Sequence, residues 1–84
     1  MDDNTVYKCD YFEVTKEIIA DRKTPIYHIW DRYGIEIAVI KWYGAWRKFC
    51  LFTNSEIVWD NKCLTIVVQL LDKFNEEWKL GETG

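Results

Sequence analysis

The residues of this chain best suited to chemistry are cationic and aromatic side chains on either side of Gly44. They are Lys41, Trp42, Tyr43, Trp46, Arg47 and Lys48. Flat rings beside cations suit a stacked base with its phosphate, and Trp, Tyr and Arg also dominate protein-binding hot spots. The cluster therefore predicts a ligand site or a partner-docking surface. A third interpretation stays open, in which solvated lysines lie over a small structural aromatic cluster.

A β-hairpin must position this cluster. The sequence predicts two strands joined at residues 44 and 45, a two-residue loop of type II′ that begins with glycine. This register places Tyr43 opposite Trp46 and Lys41 opposite Lys48, a like-charge pair that is destabilising by itself. Opposed residues share a face of the sheet. The predicted core face carries Ala38, Ile40, Trp42, Phe49, Leu51 and the stem of Arg47.

The sequence contains no recognisable catalytic constellation. His28 is the only histidine, lies in the middle of a predicted strand and has no Ser or Cys nucleophile nearby in the sequence. No glycine-rich phosphate loop is present. The carboxylate pairs lie at residues 2 and 3, on a polar tail, and at 76 and 77, on a predicted helix end. We therefore predict a protein that is not an enzyme and that carries no cofactor.

The three cysteines, Cys9, Cys50 and Cys63, are odd in number and far apart in the sequence. The sequence has no secretory, transit or membrane-spanning segment, so we expect reduced thiols in a cytoplasmic protein that does not associate with membranes. A zinc site formed by these cysteines and His28 is the alternative. Structural zinc sites usually contain a close ligand pair, and none exists here, so we predict no metal site.

Length and charge restrict the class further. The 84 residues suffice for a single domain, and 49% of them are hydrophobic, including five tryptophans. The net charge of −3 argues against a long nucleic acid as partner, because such binders present a net basic surface. A compact nucleotide stays possible.

The pattern of apolar residues predicts an α+β fold. Residues 1–5 are expected to be disordered, and an antiparallel sheet of about four strands is predicted within residues 11–59. The first strand falls within residues 7–20, and the others cover 26–31, 35–42 and 46–53. Residues 31–34 read as a type I turn that ends on Gly34. The sequence thus predicts a β-meander followed by one helix that packs on one face of the sheet.

The C-terminal helix is predicted over residues 60–80, with Asp60 as N-cap and Gly81 as its end. Its apolar residues span an arc of roughly 200°, wider than the ~100–150° that packing on a sheet requires. Either the first strand or the loops cover the excess, or it is reserved for a second copy of the chain. The candidate oligomer face comprises Cys63, Ile66 and Leu70.

Two stretches carry a resemblance to known proteins. The first is Ile40-Lys41-Trp42-Tyr43-Gly44-Ala45-Trp46-Arg47-Lys48-Phe49-Cys50, and the second is Trp59-Asp60-Asn61-Lys62-Cys63-Leu64. Together they resemble a group of small phage and prophage proteins that share an I-K-W-Y-x-x-W-R-x-[YF] hairpin and a C-L that opens the last helix. These proteins often carry a proline where this chain has Ala45. The resemblance implies a phage-type accessory protein and no named activity.

Two functions follow as expectations. The first is a non-catalytic accessory protein that binds and inhibits a host protein, such as a defence component, and that forms a homo-oligomer. The second is a binder of a nucleotide signal or of single-stranded nucleic acid that uses the hairpin cluster. The two differ in their partner, which is a protein in the first case and a phosphorylated ligand in the second.

Overall fold

The computed structural model describes residues 4–83, and the side chains of residues 4–81. The elements are β1 (Thr5–Lys8), β2 (Phe12–Glu17), β3 (Ile26–Asp31), β4 (Glu36–Tyr43), β5 (Lys48–Thr53) and α1 (Asn61–Thr83). The strands form one antiparallel sheet in the order β1-β2-β3-β4-β5, and α1 packs on it. The predicted antiparallel meander with one C-terminal helix is confirmed, but the sheet has five strands and not about four.

The additional strand arises because the predicted first strand is two strands. The N–H of Cys9 donates to the carbonyl of Phe12 at 3.0 Å, which closes a tight turn between β1 and β2. Of the residues expected to be disordered, 1–3 lie outside the described residues, whereas Thr5 pairs with Thr15. No glycine or proline marks this turn, and Tyr7 and Tyr11 carry the same aromatic enrichment on both sides of it, so composition did not reveal the break.

The predicted turn at residues 31–34 is confirmed. The Asp31 carboxylate accepts hydrogen bonds from the backbone N–H groups of Tyr33 and Ile35, at 2.8 and 2.9 Å. Gly34 has a φ of 79°, a left-handed conformation that glycine adopts without steric cost. An aspartate at the start and a glycine at the end of the turn therefore supply what its geometry needs.

The hairpin between β4 and β5 has a different register from the predicted one. Its loop comprises residues 44–47, Trp42 pairs with Phe49, and Tyr43 pairs with Lys48. The N–H of Trp46 donates to the carbonyl of Tyr43 at 3.1 Å, and Arg47 has the left-handed φ of 53°. The slip relative to the prediction is two residues, so every strand residue keeps its predicted face.

The core lies between one face of the sheet and α1. Tyr27 and Phe74 stack with ring centroids 3.8 Å apart and planes 5° apart, and Trp78 packs on Trp42 at 5.7 Å. The N–H of Cys63 donates to the Asp60 carboxylate at 2.9 Å, so the structure has Asp60 as the N-cap. Gly81 lies inside α1, which continues to Thr83 and does not end at the predicted glycine. The buried core residues are Phe12, Val14, Tyr27, Ile29, Ile37, Ala38, Ile40, Phe49, Val67, Leu70 and Phe74.

Within residues 4–83, no helix is both long enough and apolar enough to cross a bilayer.

Candidate functional site

The face of the sheet that α1 does not cover carries most of the candidate functional residues, and we call it the open face. Val14, Ile29 and Ala38 lie on the core face, so their strand neighbours Thr15, His28 and Val39 lie on the open face. The same alternation places Glu17, Trp30, Lys41, Tyr43, Lys48, Cys50 and Phe52 there.

Three aromatic rings near the hairpin loop form a group that we call the open-face aromatic cluster: Tyr43, Trp46 and Phe52. The ring centroids of Tyr43 and Trp46 are 5.1 Å apart and those of Tyr43 and Phe52 are 6.0 Å apart, both with edge-to-face geometry. Trp46 is 65% exposed, Tyr43 38% and Phe52 36%. The predicted site does not include Phe52, because the predicted register places this residue opposite Ile37, whereas the structure pairs it with Val39, closer to Tyr43.

Two lysines of the predicted site lie over these rings. The Nζ of Lys41 is 4.7 Å from the centroid of Phe52, and the Nζ of Lys48 is 5.9 Å from that of Trp46. The predicted pairing of Lys41 with Lys48 does not form, because the register places Lys41 opposite Cys50. Each cation instead gains attraction to a ring face, an interaction of about 0.5–1 kcal/mol at an exposed position.

The other two predicted hairpin residues are separated from this cluster. Trp42 is half-buried on the core face and packs edge-on against Phe49 at 5.5 Å. Arg47 is exposed in the loop, so its stem does not lie in a strand opposite Trp42. Together with Lys48 and Trp78 they line an open cleft of about 590 Å³ between the hairpin and the C-terminal part of α1. The residues of the predicted hairpin site are thus divided between two surfaces, the open face and this cleft.

His28 occupies the centre of the open face, between two carboxylates. Its Nδ1 lies 2.6 Å from Glu36 Oε2 and its Nε2 lies 2.7 Å from Glu17 Oε1. Ionised carboxylates only accept hydrogen bonds, so this arrangement favours the form of the imidazole in which both ring nitrogens are donors, which is the cation. Burial alone would lower the pKa of His28, but the hydrogen bonds to Glu17 and Glu36 and their negative charges together raise it above the ordinary value.

Trp30 extends the open face next to this ion cluster. Its ring lies 5.8 Å from that of His28, and its Nε1–H donates to the hydroxyl of Thr15 at 2.9 Å. The hydrogen bond holds the indole against the sheet. Neither Glu17 nor Glu36 stood out in the sequence, because both reach His28 from neighbouring strands, and that contact depends on the register.

The predicted oligomer face of α1 is largely occupied within the chain. Leu70 is 6% exposed, and Cys63 and Ile66 are half-buried against the core. Burial also raises the pKa of the Cys63 thiol, as does the neighbouring Asp60. The apolar side chains that α1 leaves exposed in its first half are Leu64, at 43%, and Val68, at 54%. These two lie on the flank that faces β5.

A second concave surface, which no sequence pattern indicated, lies between the β2–β3 loop and α1. We call it the cationic cleft. It measures about 320 Å³, and Lys16, Arg22 and Lys23 surround a lining that includes Tyr27, Glu77 and Trp78. None of the three cations forms an ion pair among the described residues. Arg22 and Lys23 lie in a loop without regular pattern, so no sequence signal placed them beside the helix.

The cysteines do not assemble with the histidine. Cys9, Cys50 and Cys63 are free thiols, and Cys9 and Cys63 pack against the core. Both nitrogens of His28 contact carboxylates on the open face. In the part of the chain that the structure describes, no group of three or more His, Cys, Asp or Glu side chains is arranged to hold a metal ion.

Comparison with known proteins finds a similarity to a small phage protein. The chain is 29% identical over 75 residues to an uncharacterized 9.3 kDa protein of Acholeplasma phage L2. The aligned region covers 88% of this chain and 96% of the phage protein. No protein-family model and no solved structure matches the chain. The similarity extends over nearly all of both proteins and supports a phage origin.

Proposed function

We propose that this chain is a non-catalytic phage accessory protein that acts in the host cytoplasm by binding, and that its open face docks a host protein such as a defence component. The observation that carries the proposal is the open-face aromatic cluster. Tyr43, Trp46 and Phe52 remain exposed at 38%, 65% and 36% on a face that no helix or strand within residues 4–83 covers. Large exposed aromatic side chains anchor protein interfaces far more often than they occur on free surfaces.

The geometry of the cluster suits a docking surface because its rings are held in place. Tyr43 and Phe52 project from paired strands, and edge-to-face contacts at 5.1 and 6.0 Å restrain the three rings relative to one another. Side chains that are already ordered lose little entropy when a partner binds. The aromatic cluster is therefore a preorganised anchor.

Charge identifies the kind of partner. The chain carries a net charge of −3, yet Lys41 and Lys48 lie directly over the rings of the cluster. A protein surface that combines apolar side chains with a few carboxylates would meet the rings and these two cations together. The rest of the chain is acidic and would repel carboxylates elsewhere on the partner. We therefore expect the carboxylates of the partner to lie only opposite Lys41 and Lys48.

The test is capture of host protein by wild-type and substituted chains. We expect Trp46→Ala to reduce the amount of a specifically captured host protein at least tenfold, because the substitution removes the most exposed anchor. Tyr33→Ala is the matched control, since Tyr33 is an even more exposed aromatic residue, at 80%, in the β3–β4 turn. Equal capture by both variants would contradict the proposal.

A second candidate function is binding of a nucleotide signal, and the cationic cleft favours it. The predicted hairpin site is split between two surfaces, whereas Lys16, Arg22 and Lys23 surround a single concavity of about 320 Å³ next to Trp78. Concavities of this size accommodate small organic ligands, and unpaired cations over apolar walls suit a phosphate attached to a base.

Tryptophan fluorescence separates this candidate from the first. Mono-, di- and cyclic nucleotides are titrated at two salt concentrations, and the combined emission of the five tryptophans, of which Trp78 lines the cleft, reports binding. If the candidate is correct, Lys23→Ala weakens the response and Lys48→Ala, on the hairpin, leaves it unchanged. The absence of a response to any nucleotide eliminates the candidate.

A further inference from the structure

A short segment of the edge strand β5 has backbone N–H and C=O groups that are not paired with another strand. The backbone N–H of Phe49 donates to the side-chain oxygen of Asn75 at 2.7 Å, and the side-chain nitrogen of Asn75 donates to the carbonyl of Phe49 at 3.2 Å. Phe49 therefore points its backbone groups away from β4, and by alternation Leu51 and Thr53 do the same. Apart from Asn75, no described residue bonds these outward-facing backbone groups.

Apolar side chains lie on both sides of this free edge. On the open face, Phe52 is 36% exposed. On the helix side, a groove of about 350 Å³ separates β5 from α1, and Leu51, Val68, Leu71 and Asn75 contribute to its walls. Val68 is 54% exposed, and Leu64, one turn earlier on the same flank, is 43% exposed. An unpaired strand edge between two apolar surfaces is a template for another strand.

We propose that the occupant of this edge is a second copy of the chain, which pairs β5 with β5 in antiparallel orientation about a two-fold axis at Phe52. The proposal rests on the proposed function, since it specifies how the binding protein presents its open face as a dimer. A two-fold axis perpendicular to the sheet joins two five-stranded sheets into one continuous sheet of ten.

Asn75 determines the register of this pairing. A partner strand centred on Leu51 would need the backbone groups of Phe49, which Asn75 already occupies. Centring on Phe52 instead pairs Leu51 with Thr53 of the second copy, and Thr53 with Leu51, which uses all the free groups of both edges. The second copy's chain turns away at residues 55 and 56, before it would reach Asn75.

The same axis brings complementary features together. Each copy's Phe52 lies beside the other, so the two open-face aromatic clusters become neighbours on one surface. In this register Lys48 lies opposite Glu56 of the second copy, which is in the turn that follows β5. The two-fold axis repeats this pair of opposite charges at the other end of the contact. Both helices remain on the same side of the joined sheet, with the exposed Leu64 and Val68 flanks facing each other. Self-complementarity of these three features favours a second copy over an unrelated strand.

Disulfide trapping tests the register. In a chain with all three cysteines replaced by alanine, Phe52→Cys places two thiols directly opposite each other in a pair without ladder hydrogen bonds. Cβ atoms in such pairs are about 4.5–5.5 Å apart, close enough for a disulfide after small adjustments. We expect a covalent dimer on mild oxidation. Lys41→Cys, on the same face but on β4, is the matched control and should stay monomeric. Equal cross-linking by both would overturn the register.

Analytical ultracentrifugation tests the dimer without altering β5. We expect the wild-type chain to dimerise and Val68→Glu to raise the dimer dissociation constant at least tenfold. Leu80→Glu, at an exposed apolar position near the end of α1, should leave the dissociation constant unchanged. A wild-type chain that stays monomeric at millimolar concentration would overturn the proposal. Val68 lies on the helix side, so host-protein capture through Trp46 can succeed or fail independently of this result.

Discussion

At the scale of single residues, His28 shows how the sheet creates an electrostatic site from unremarkable parts. Glu17, His28 and Glu36 come from three neighbouring strands, β2, β3 and β4, and they meet only because these strands pair. The half-buried imidazole is 20% exposed and both carboxylates are more accessible. Ion pairs of this kind contribute up to about 1 kcal/mol each.

The raised pKa of His28 predicts a pH dependence of stability. Because the folded-state pKa lies above the unfolded value of 6.5, the stabilisation is fully present below pH 6.5 and is lost as the pH rises through the raised pKa. His28→Gln should therefore destabilise the protein more at pH 6 than at pH 9, by less than about 1 kcal/mol in urea unfolding.

The position of the pKa itself is measurable by NMR, since His28 is the only histidine and gives a single imidazole titration. In the double variant Glu17→Gln and Glu36→Gln, burial is no longer opposed by the carboxylates. We expect the pKa of His28 in this variant to fall below 6.5. A pKa that is the same in the double variant and in the wild type would refute the ion cluster.

At the scale of elements, the β4–β5 hairpin shows which local signals compete. Gly44 suggested a two-residue loop, but its φ is not positive, and Arg47 takes the left-handed conformation instead. The longer loop removes Trp46 from the strand and lets Phe49 meet both Trp42 and the Asn75 side chain. Tertiary contacts from the helix thus outweigh the local turn preference.

The left-handed conformation of Arg47 in the loop predicts how substitutions there change stability. A non-glycine residue in the left-handed region costs about 1–2 kcal/mol, and glycine's greater backbone freedom offsets part of the gain. Arg47→Gly should therefore stabilise the protein by about 0.5–1 kcal/mol in urea unfolding. Ala45→Gly, in the same loop at a negative φ, is the control and should be neutral or destabilising. The idea would be refuted if both changes had the same sign and size.

At the scale of the whole molecule, α1 is held on the sheet by aliphatic side chains such as Val67 and Leu70 in its first half and by aromatic contacts in its second half. Phe74 is 3% exposed and stacks on Tyr27 in the central strand at 3.8 Å. Trp78 adds contacts to Trp42 and Phe49 at 5.7 and 6.2 Å. These rings are large, so they supply much of the apolar area that the second half of the helix buries against the sheet.

Removing the ring of Phe74 should therefore cost a large part of the total free energy of unfolding. Phe74→Ala is expected to cost about 3–5 kcal/mol, whereas native domains have only about 5–15 kcal/mol in total. Circular dichroism with urea should show a marginally folded or unfolded chain. Trp46→Ala, on the open face, should change stability by less than about 0.5 kcal/mol. A small effect of Phe74→Ala would mean that α1 is attached by other contacts.

The sequence alone determined the features that depend on local chemistry. Period-two alternation assigned Ile40, Phe49 and Leu51 to the core face, Asp60 was identified as the N-cap, and Asp31 with Gly34 predicted their turn. These signals arise from residues next to one another, so no knowledge of the rest of the chain is needed.

Only the tertiary structure decided the register, the fifth strand and the surfaces left exposed. A two-residue slip leaves the alternation pattern unchanged, so the sequence could not distinguish the two hairpins. The contact that favours the observed one joins Phe49 and Asn75, which are 26 residues apart. Likewise, Leu70 is buried and Val68 exposed because of where the helix lies on the sheet, and the helical period does not contain that information.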